Sequence, residues 1–187
     1  MNGLLKRFAR DVRGVLALEV AFAVPVLLGL ILSGVEITRY ILLNQKIERA
    51  TMTVADLVSQ AEVLTGAEVD NLFVAGDFVM EPFDVNAEGQ MIVSSVVGSG
   101  SGAVVAWQRT YGGGTGGSQF GVAGGTATLP AGFFVAEGES FIAAEVFYDY
   151  APMFMGGHLV EGVVGNVQLY NSAVFRPRFT SIVAYSP

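Results

Sequence analysis

One carboxylate, that of Glu19, lies inside an otherwise apolar run, where an isolated charge is costly and usually marks function. The run extends from Val15 to Val35 and reads VLALEVAFAVPVLLGLILSGV, with Glu19 as its single charged residue. Gly14 immediately precedes the run, and the basic residues before it are Lys6, Arg7, Arg10 and Arg13. A carboxylate at this depth can pair with a cation on a neighbouring chain, or it can reach back to the membrane surface from a plain anchor helix. The residues alone leave both interpretations open.

Few other residues could carry out chemistry. His158 is the only histidine and the chain has no cysteine, so no zinc site or Ser-His-Asp triad can be recognised. The glycine tracts at 98–102 and 112–117 are not followed by the Lys-Ser/Thr pair of a phosphate-binding loop. An acid-rich stretch has no calcium-loop spacing and predicts a solvated face; its members are Asp70, Asp77, Glu81, Asp84 and Glu88. We therefore expect no enzymatic activity, no cofactor and no metal site.

The apolar run is long enough to cross a membrane. At about 1.5 Å rise per residue, a helix over residues 15–35 spans a hydrocarbon core of roughly 30 Å. Under the positive-inside rule the basic residues keep the N-terminus cytoplasmic, and the rest of the chain is exported. From residue 66 to the C-terminus the chain carries three basic and eleven acidic residues, a net charge of −8. Such an acidic surface argues against nucleic acid or an anionic membrane surface as a partner.

An amphipathic pattern follows the span. Apolar residues recur at alternating spacings of three and four, which predicts a helix with one buried face. This stripe consists of Tyr40, Leu43, Ile47, Ala50, Val54, Leu57, Ala61 and Leu64. No glycine or proline interrupts residues 36–65, and Gly66 is a suitable C-terminal stop. The sequence predicts one helix from Leu16 to Leu64 that leaves the membrane near Glu36 and is the spine of the exported domain.

The rest of the chain, 66–187, has the composition of a β-rich domain. Segments rich in β-branched and aromatic residues predict strands at 91–97, 103–111, 140–150, 166–175 and 181–185. The segment at 140–150 alternates too imperfectly for a half-exposed strand and predicts one buried on both faces. Between residues 98 and 125, 11 of 28 residues are glycine, which predicts long turns or disordered hairpin tips. With a short helix at 66–76, the predicted class is α+β: a long N-terminal helix and a small antiparallel sheet.

The first part of the chain resembles the N-terminal segment of the TadE/TadG-like family, pseudopilins of the tight-adherence (Tad, or Flp) pilus machinery. That segment typically has a glycine, an A-x-E-F-A motif, an L-P-x-L-L motif and a G-x-x-E-x-x-R ending. The residues here that carry the resemblance are Glu19, Ala21, Pro25, Leu27, Leu28, Gly29, Gly34, Glu36 and Arg39, with Gly34 two residues before Glu36 and not three. Val20 departs from the aromatic residue usual after the glutamate. Weaker similarity at 145–154 and 175–179, and the chain length, favour a TadE-like member.

The resemblance implies a class III prepilin leader in residues 1–14. A prepilin peptidase would cut between Gly14 and Val15, and the new α-amine of Val15 would pair with Glu19 of a neighbouring subunit. The implied partners are that peptidase, other pilins or pseudopilins, the inner-membrane platform of the pilus, and membrane lipid. The implied location is the bacterial inner membrane, crossed once, with a pilin-like periplasmic domain at 66–187 that is incorporated in the pilus in some arrangements.

Two further features have local interpretations. Pro25 removes one backbone hydrogen bond and crowds the carbonyl of Ala21. It therefore either kinks the helix for extraction into a filament or is a tolerated membrane proline. Glu36 and Arg39 lie three residues apart just beyond the span, and we expect a helix-surface pair worth a few tenths of a kcal/mol.

Two functions from different classes are compatible with these patterns. The first is a minor pseudopilin that helps to initiate or cap a Tad-type pilus and is processed after Gly14. The second is an uncleaved single-pass anchor that displays a β-rich binding module to an envelope partner. A processing site requires Gly14 in the first case, whereas the glycine is incidental in the second.

Overall fold

The computed structural model describes residues 13–100, 102–153 and 167–187. Within these residues a long helix, α1 (Arg13–Ser59), is followed by two shorter helices and six strands. They are β1 (Val63–Thr65), α2 (Gly66–Met80), α3 (Val85–Glu88), β2 (Gly89–Ser99), β3 (Gly102–Tyr111), β4 (Ser140–Tyr150), β5 (Val167–Phe175) and β6 (Ala184–Ser186). The α+β class with a long N-terminal helix and a small antiparallel sheet is confirmed. Most of the basic leader, and His158, lie outside the described residues.

The long helix is one continuous element. α1 has 47 residues and is therefore about 70 Å long. Among the described helices, α1 is the one that is long and apolar enough to cross a membrane. α1 ends at Ser59 and not at the predicted Leu64, because residues 63–65 form strand β1, which pairs in parallel with β6. A contact between distant parts of the chain therefore sets the end of this helix.

The C-terminal half of α1 packs on one face of a four-stranded antiparallel sheet with the order β3-β2-β4-β5. The buried side chains that α1 contributes are Leu43, Ile47, Ala50, Val54, Ala55 and Val58. Leu57, a member of the predicted stripe, is only half-buried, since a period of 3.6 residues moves the buried position to Val58. β4 is buried along nearly its whole length, which confirms the prediction of a strand covered on both faces.

The glycine-rich chain between β3 and β4 covers the second face of the sheet. Phe120 from this chain packs in a second core with Val96, Ala103, Val105, Phe141 and Ala143. Gly112 has a φ of +100°, and a Cβ there would lie 2.4 Å from the carbonyl oxygen of Gly89. A Cβ at Gly116 would lie 2.4 Å from the ring of Phe147. These glycines permit close packing, so residues 112–125 form the predicted long turns and not a disordered tip.

The short helix predicted at 66–76 is present and extends to Met80 as α2. Thr65 caps it: the Thr65 hydroxyl accepts from the N–H of Glu68 at 3.3 Å, and the Glu68 carboxylate accepts from the N–H of Thr65 at 2.8 Å. The backbone and side-chain hydrogen bonds from Thr65 lower the pKa of Glu68. Gly76 lets α2 approach α1 closely, because a Cβ at Gly76 would lie 2.6 Å from Cγ2 of Val54.

Candidate assembly helix and its junction with the C-terminal domain

The residues predicted to act in processing, subunit assembly and helix bending lie in the first four turns of α1. They are Gly14, Val15, Glu19 and Pro25. A Cβ at Gly14 would meet no atom within 4 Å, and Val15 and Glu19 are both exposed. The α-helix continues through Pro25, so the proline is accommodated within it. Every position from 14 to 32 is exposed. The described part of the C-terminal domain therefore leaves the surface of this segment uncovered, as a helix that packs on lipid or on neighbouring subunits requires.

Val15 and Glu19 are four residues apart and share one face of α1. Along the helix axis they are separated by about 6 Å. In a parallel neighbouring helix that is shifted by about one turn, an amine at Val15 would stand at the height of the first chain's Glu19 carboxylate. Such a pair would recover part of the free energy that each charge loses on leaving water.

The other polar side chain of the run is satisfied locally. Oγ of Ser33 donates to the carbonyl oxygen of Gly29 at 2.7 Å. Just beyond the run, Oγ1 of Thr38 donates to the carbonyl oxygen of Gly34 at 2.8 Å. Both hydroxyls use the backbone of the preceding turn, a common arrangement that hides a donor from lipid. Ser33 therefore needs no partner outside the helix, and Glu19, the other polar residue of the run, is exposed.

Glu36 is not the surface residue that the sequence predicted. It is only 8% exposed, because the C-terminal end of β4 packs over it. The carboxylate of Glu36 accepts a hydrogen bond from the hydroxyl of Tyr150, the last residue of β4. It also accepts a hydrogen bond from the backbone N–H of Met153 at 3.1 Å. The expectation of an exposed i, i+3 pair is therefore wrong: Glu36 joins the helix to the sheet at the end of the span.

Arg39 reinforces the same junction. Its Nη1 donates to the carbonyl oxygen of Ala151 at 3.3 Å. The guanidinium lies 5.5 Å from the ring centroid of Tyr150 and 5.7 Å from that of Phe83, within the range of cation–π attraction. Burial first, and then the hydrogen bond to Glu36, raise the pKa of Tyr150 to about 12. The phenol therefore stays protonated, and able to donate to Glu36, throughout the physiological pH range.

Sequence reasoning missed this junction, which consists of Glu36, Arg39, Phe83, Tyr150 and the turn 151–153. The available signal was a carboxylate and a guanidinium one turn apart at the end of the span, together with a β-strand that ends in Tyr-Asp-Tyr. What could not be read from spacing is that α1 and β4 lie side by side. Because that contact joins residues more than a hundred positions apart, local periodicity does not predict it.

A second buried carboxylate, that of Glu145 in β4, lies on the opposite face of the sheet. Glu145 is fully buried and accepts from the hydroxyl of Ser118, from the N–H of Gln119 at 2.8 Å and from the hydroxyl of Tyr170 at 3.0 Å. Partial desolvation of Tyr170, which stays 43% exposed, and the charge of Glu145 raise the pKa of this tyrosine to about 12, against the lowering effect of Ser172. Glu145 thus ties the glycine-rich chain to the sheet, which is a structural role.

The acid-rich stretch at 70–88 is only partly the solvated face that was predicted. Asp70 pairs with Arg109 at 2.7 Å, and Glu88 accepts from the hydroxyl of Tyr148 at 2.6 Å. Asp84 caps α3 by accepting from the N–H of Ala87. In the described parts of the chain, no group of three or more acidic or histidine side chains could hold a metal ion.

Comparison with known families concerns the helix. Residues 14–56 match the family model described as TadE-like protein. This segment is TadE-like. The match covers the candidate processing site, the apolar run and the junction residues of α1, and it ends before the sheet begins. No curated protein and no solved structure matches the chain.

The TadE-like match associates the protein with the Tad pilus system, and it supports the resemblance drawn from the sequence. The exposed apolar helix near the N-terminus indicates a membrane anchor, which is consistent with a pilus component. The C-terminal domain lies outside the matched residues, so the match gives no information about its fold.

Proposed function

We propose that this protein is a minor pseudopilin that takes part in the initiation or capping of a Tad-type pilus. In this proposal a prepilin peptidase removes residues 1–14, and Val15 becomes the N-terminus of the mature chain. The observation that carries the proposal is the TadE-like match, which begins at Gly14 and extends through a helix whose first turns are exposed.

The proposed chemistry uses the only charged group of the apolar run. The α-amine of Val15 on one subunit pairs with the Glu19 carboxylate of a neighbour, at a stagger of about one helical turn. A buried pair of this kind can fix the register between parallel helices, as single polar positions do in coiled coils. In this proposal the new N-terminus and the Glu19 carboxylate therefore act as a pair.

Each partner in this proposal contacts a different part of the chain. The peptidase meets the chain at Gly14 on the cytoplasmic side, where the basic leader lies. Other pilins or pseudopilins, and the inner-membrane platform, meet the exposed surface of α1. The C-terminal domain is periplasmic before assembly, and Pro25 provides a place where the helix can bend on extraction from the membrane.

Substitution of Glu19 tests the proposal. Glu19→Leu and Glu19→Gln both abolish the ion pair, and Glu19→Gln does so with almost unchanged shape. We expect normal insertion and normal cleavage but loss of surface pili with both variants. Surface pilus yield is measured at matched protein level, and an immunoblot checks processing. Glu48→Gln is the matched control, because Glu48 is an exposed glutamate on the same helix but outside the span.

Normal piliation with both Glu19 variants would contradict the role of the carboxylate in assembly. Glu19 would then be a charge that reaches the membrane surface from a plain anchor. If, in addition, residues 1–14 were retained in the cell, the protein would be an uncleaved anchor for its β-rich domain.

A further inference from the structure

A groove opens beside α1 at the end of the apolar run. It has a volume of about 760 Å³ and lies between the helix, the chain after α2 and the turn after β4. The residues that define it are Ile31, Gly34, Leu42, Pro82, Phe83 and Met153. Ile31 and Gly34 belong to the apolar run, whereas Leu42 lies about two turns beyond its end. The groove therefore crosses the predicted boundary between hydrocarbon and head groups.

The chemistry of the groove is uniform. Its described lining is apolar except for Thr38 and Arg39, and it contains no carboxylate. Ile31 and Met153 expose about three-fifths of their surface, at 61% and 60%. The Arg39 guanidinium has five N–H donors, of which the bond to Ala151 uses one. An apolar groove with a single arginine in its lining matches a molecule with a hydrocarbon tail and a phosphate.

We propose that this groove binds a phospholipid of the surrounding membrane, specifically a zwitterionic one such as phosphatidylethanolamine. One acyl chain lies along Ile31, Gly34 and Met153, and the phosphate lies near Arg39. The apolar surface of the membrane-spanning helix continues directly into the groove, so a lipid enters it without crossing water. The volume also falls within the roughly 300–1,000 Å³ typical of small-molecule sites.

The charge of the protein favours this occupant over an anionic lipid. A lipid with a net negative charge would be repelled by the acidic C-terminal domain, whereas a zwitterionic lipid has no net charge. The proposal depends on membrane insertion and not on processing or on a role in the pilus.

Photolabelling of the full chain in nanodiscs tests the proposal. The discs consist of phosphatidylethanolamine with a trace of the same lipid that carries a diazirine on one acyl chain. Mass spectrometry of peptides then locates the adducts. We expect adducts at Pro82 and Met153, which belong to the C-terminal domain, and a loss of at least fivefold when Gly34→Phe fills the groove.

The matched control is Gly29→Phe. A Cβ at either glycine would meet no atom within 4 Å, so the two sites are equally open at the first side-chain carbon. Only Gly34 lines the groove. Thr38→Phe fills the groove from the next turn and replaces Gly34→Phe if that variant is unfolded by Trp107 fluorescence.

Two outcomes overturn the proposal. Equal labelling of Pro82 and Met153 in the Gly34→Phe and Gly29→Phe proteins would mean that these residues only touch bulk lipid. Labelling that falls to background when each disc holds two chains would mean that a second copy fills the groove instead.

Discussion

Replacement of Tyr150 by phenylalanine removes the hydroxyl that joins the sheet to Glu36 and leaves the ring in place. The ring keeps its edge-on contact with Tyr40, at 5.4 Å between centroids, and its contact with the Arg39 guanidinium. A hydrogen bond to a buried charged group contributes about 1.5–3 kcal/mol. Because the N–H of Met153 still donates to Glu36, we expect Tyr150→Phe to lower the free energy of unfolding by an amount in the lower half of that range, about 1.5–2 kcal/mol. For a chain of this size, the loss lowers Tm by about 3–8 °C.

Thermal unfolding of the full chain in detergent micelles measures this change. Trp107 reports on the core, because it is buried there and its Nε1 donates to the carbonyl oxygen of Val183 at 2.9 Å. The matched control is Tyr40→Phe, which removes a hydroxyl from the other ring of the same aromatic pair. Tyr40 is 39% exposed, so we expect that change to lower Tm by less than about 2 °C.

A double-mutant cycle separates the hydrogen bond from other effects. In a Glu36→Gln background the carboxylate is absent, so Tyr150→Phe should cost at least 1 kcal/mol less than in the natural protein, on the order expected for a charge-assisted bond. Equal losses in both backgrounds, or equal effects of Tyr150→Phe and Tyr40→Phe, would refute the assignment of Glu36 as the residue that joins α1 to the sheet.

Three further predictions concern the core and the covered face of the sheet. Val54→Asp should unfold the C-terminal domain, because an unpaired buried charge costs several kcal/mol, whereas Gln60→Asp on the exposed side should leave its circular dichroism and Tm unchanged. Gly76→Ala should lower the free energy of unfolding by about 1 kcal/mol, because overpacking costs about 1–3 kcal/mol and the higher helix propensity of alanine offsets at most about 1 kcal/mol. Urea unfolding measures this change. A stabilised variant would contradict the close approach of α2 to Val54. The pKa of Tyr170, raised to about 12 by partial desolvation and by Glu145, lies above the unfolded value near 10. The stability that this phenol contributes is therefore complete below pH 10 and is lost as the pH rises to 12. Tyr170→Phe should make the alkaline loss of stability shallower, as seen by Trp107 fluorescence, and an unchanged profile would show that the phenol is not held as described.

The sequence predicted those elements whose signals are local. The apolar run and the strand at 140–150 are continuous apolar segments and the short helix follows Thr65 directly, and the structure contains all three. A dense run of apolar and aromatic residues in β4 correctly indicated burial on both faces.

The remaining features depend on contacts between distant residues, which periodicity does not encode. α1 ends early because β1 pairs with β6 from the far end of the chain. The glycine-rich chain is packed because Gly89 and Phe147 lie beneath it. Glu36 is buried because β4 ends beside it, so an apparent surface pair became part of the junction. Of the candidate assembly site, the sequence placed Val15 and Glu19 on one helical face, and the structure leaves both side chains exposed.

The N-terminus of the protein as it accumulates in cells tests the central proposal most directly. Intact mass and N-terminal sequencing are compared between a strain with active prepilin peptidase and one without it. We predict that the chain begins at Val15 only in the first strain. Removal of residues 1–14 takes away four basic residues and one acidic residue, so the formal net charge changes from −7 to −10. A chain that retains the basic leader in both strains would contradict processing at Gly14, and with it the amine that Glu19 is proposed to bind.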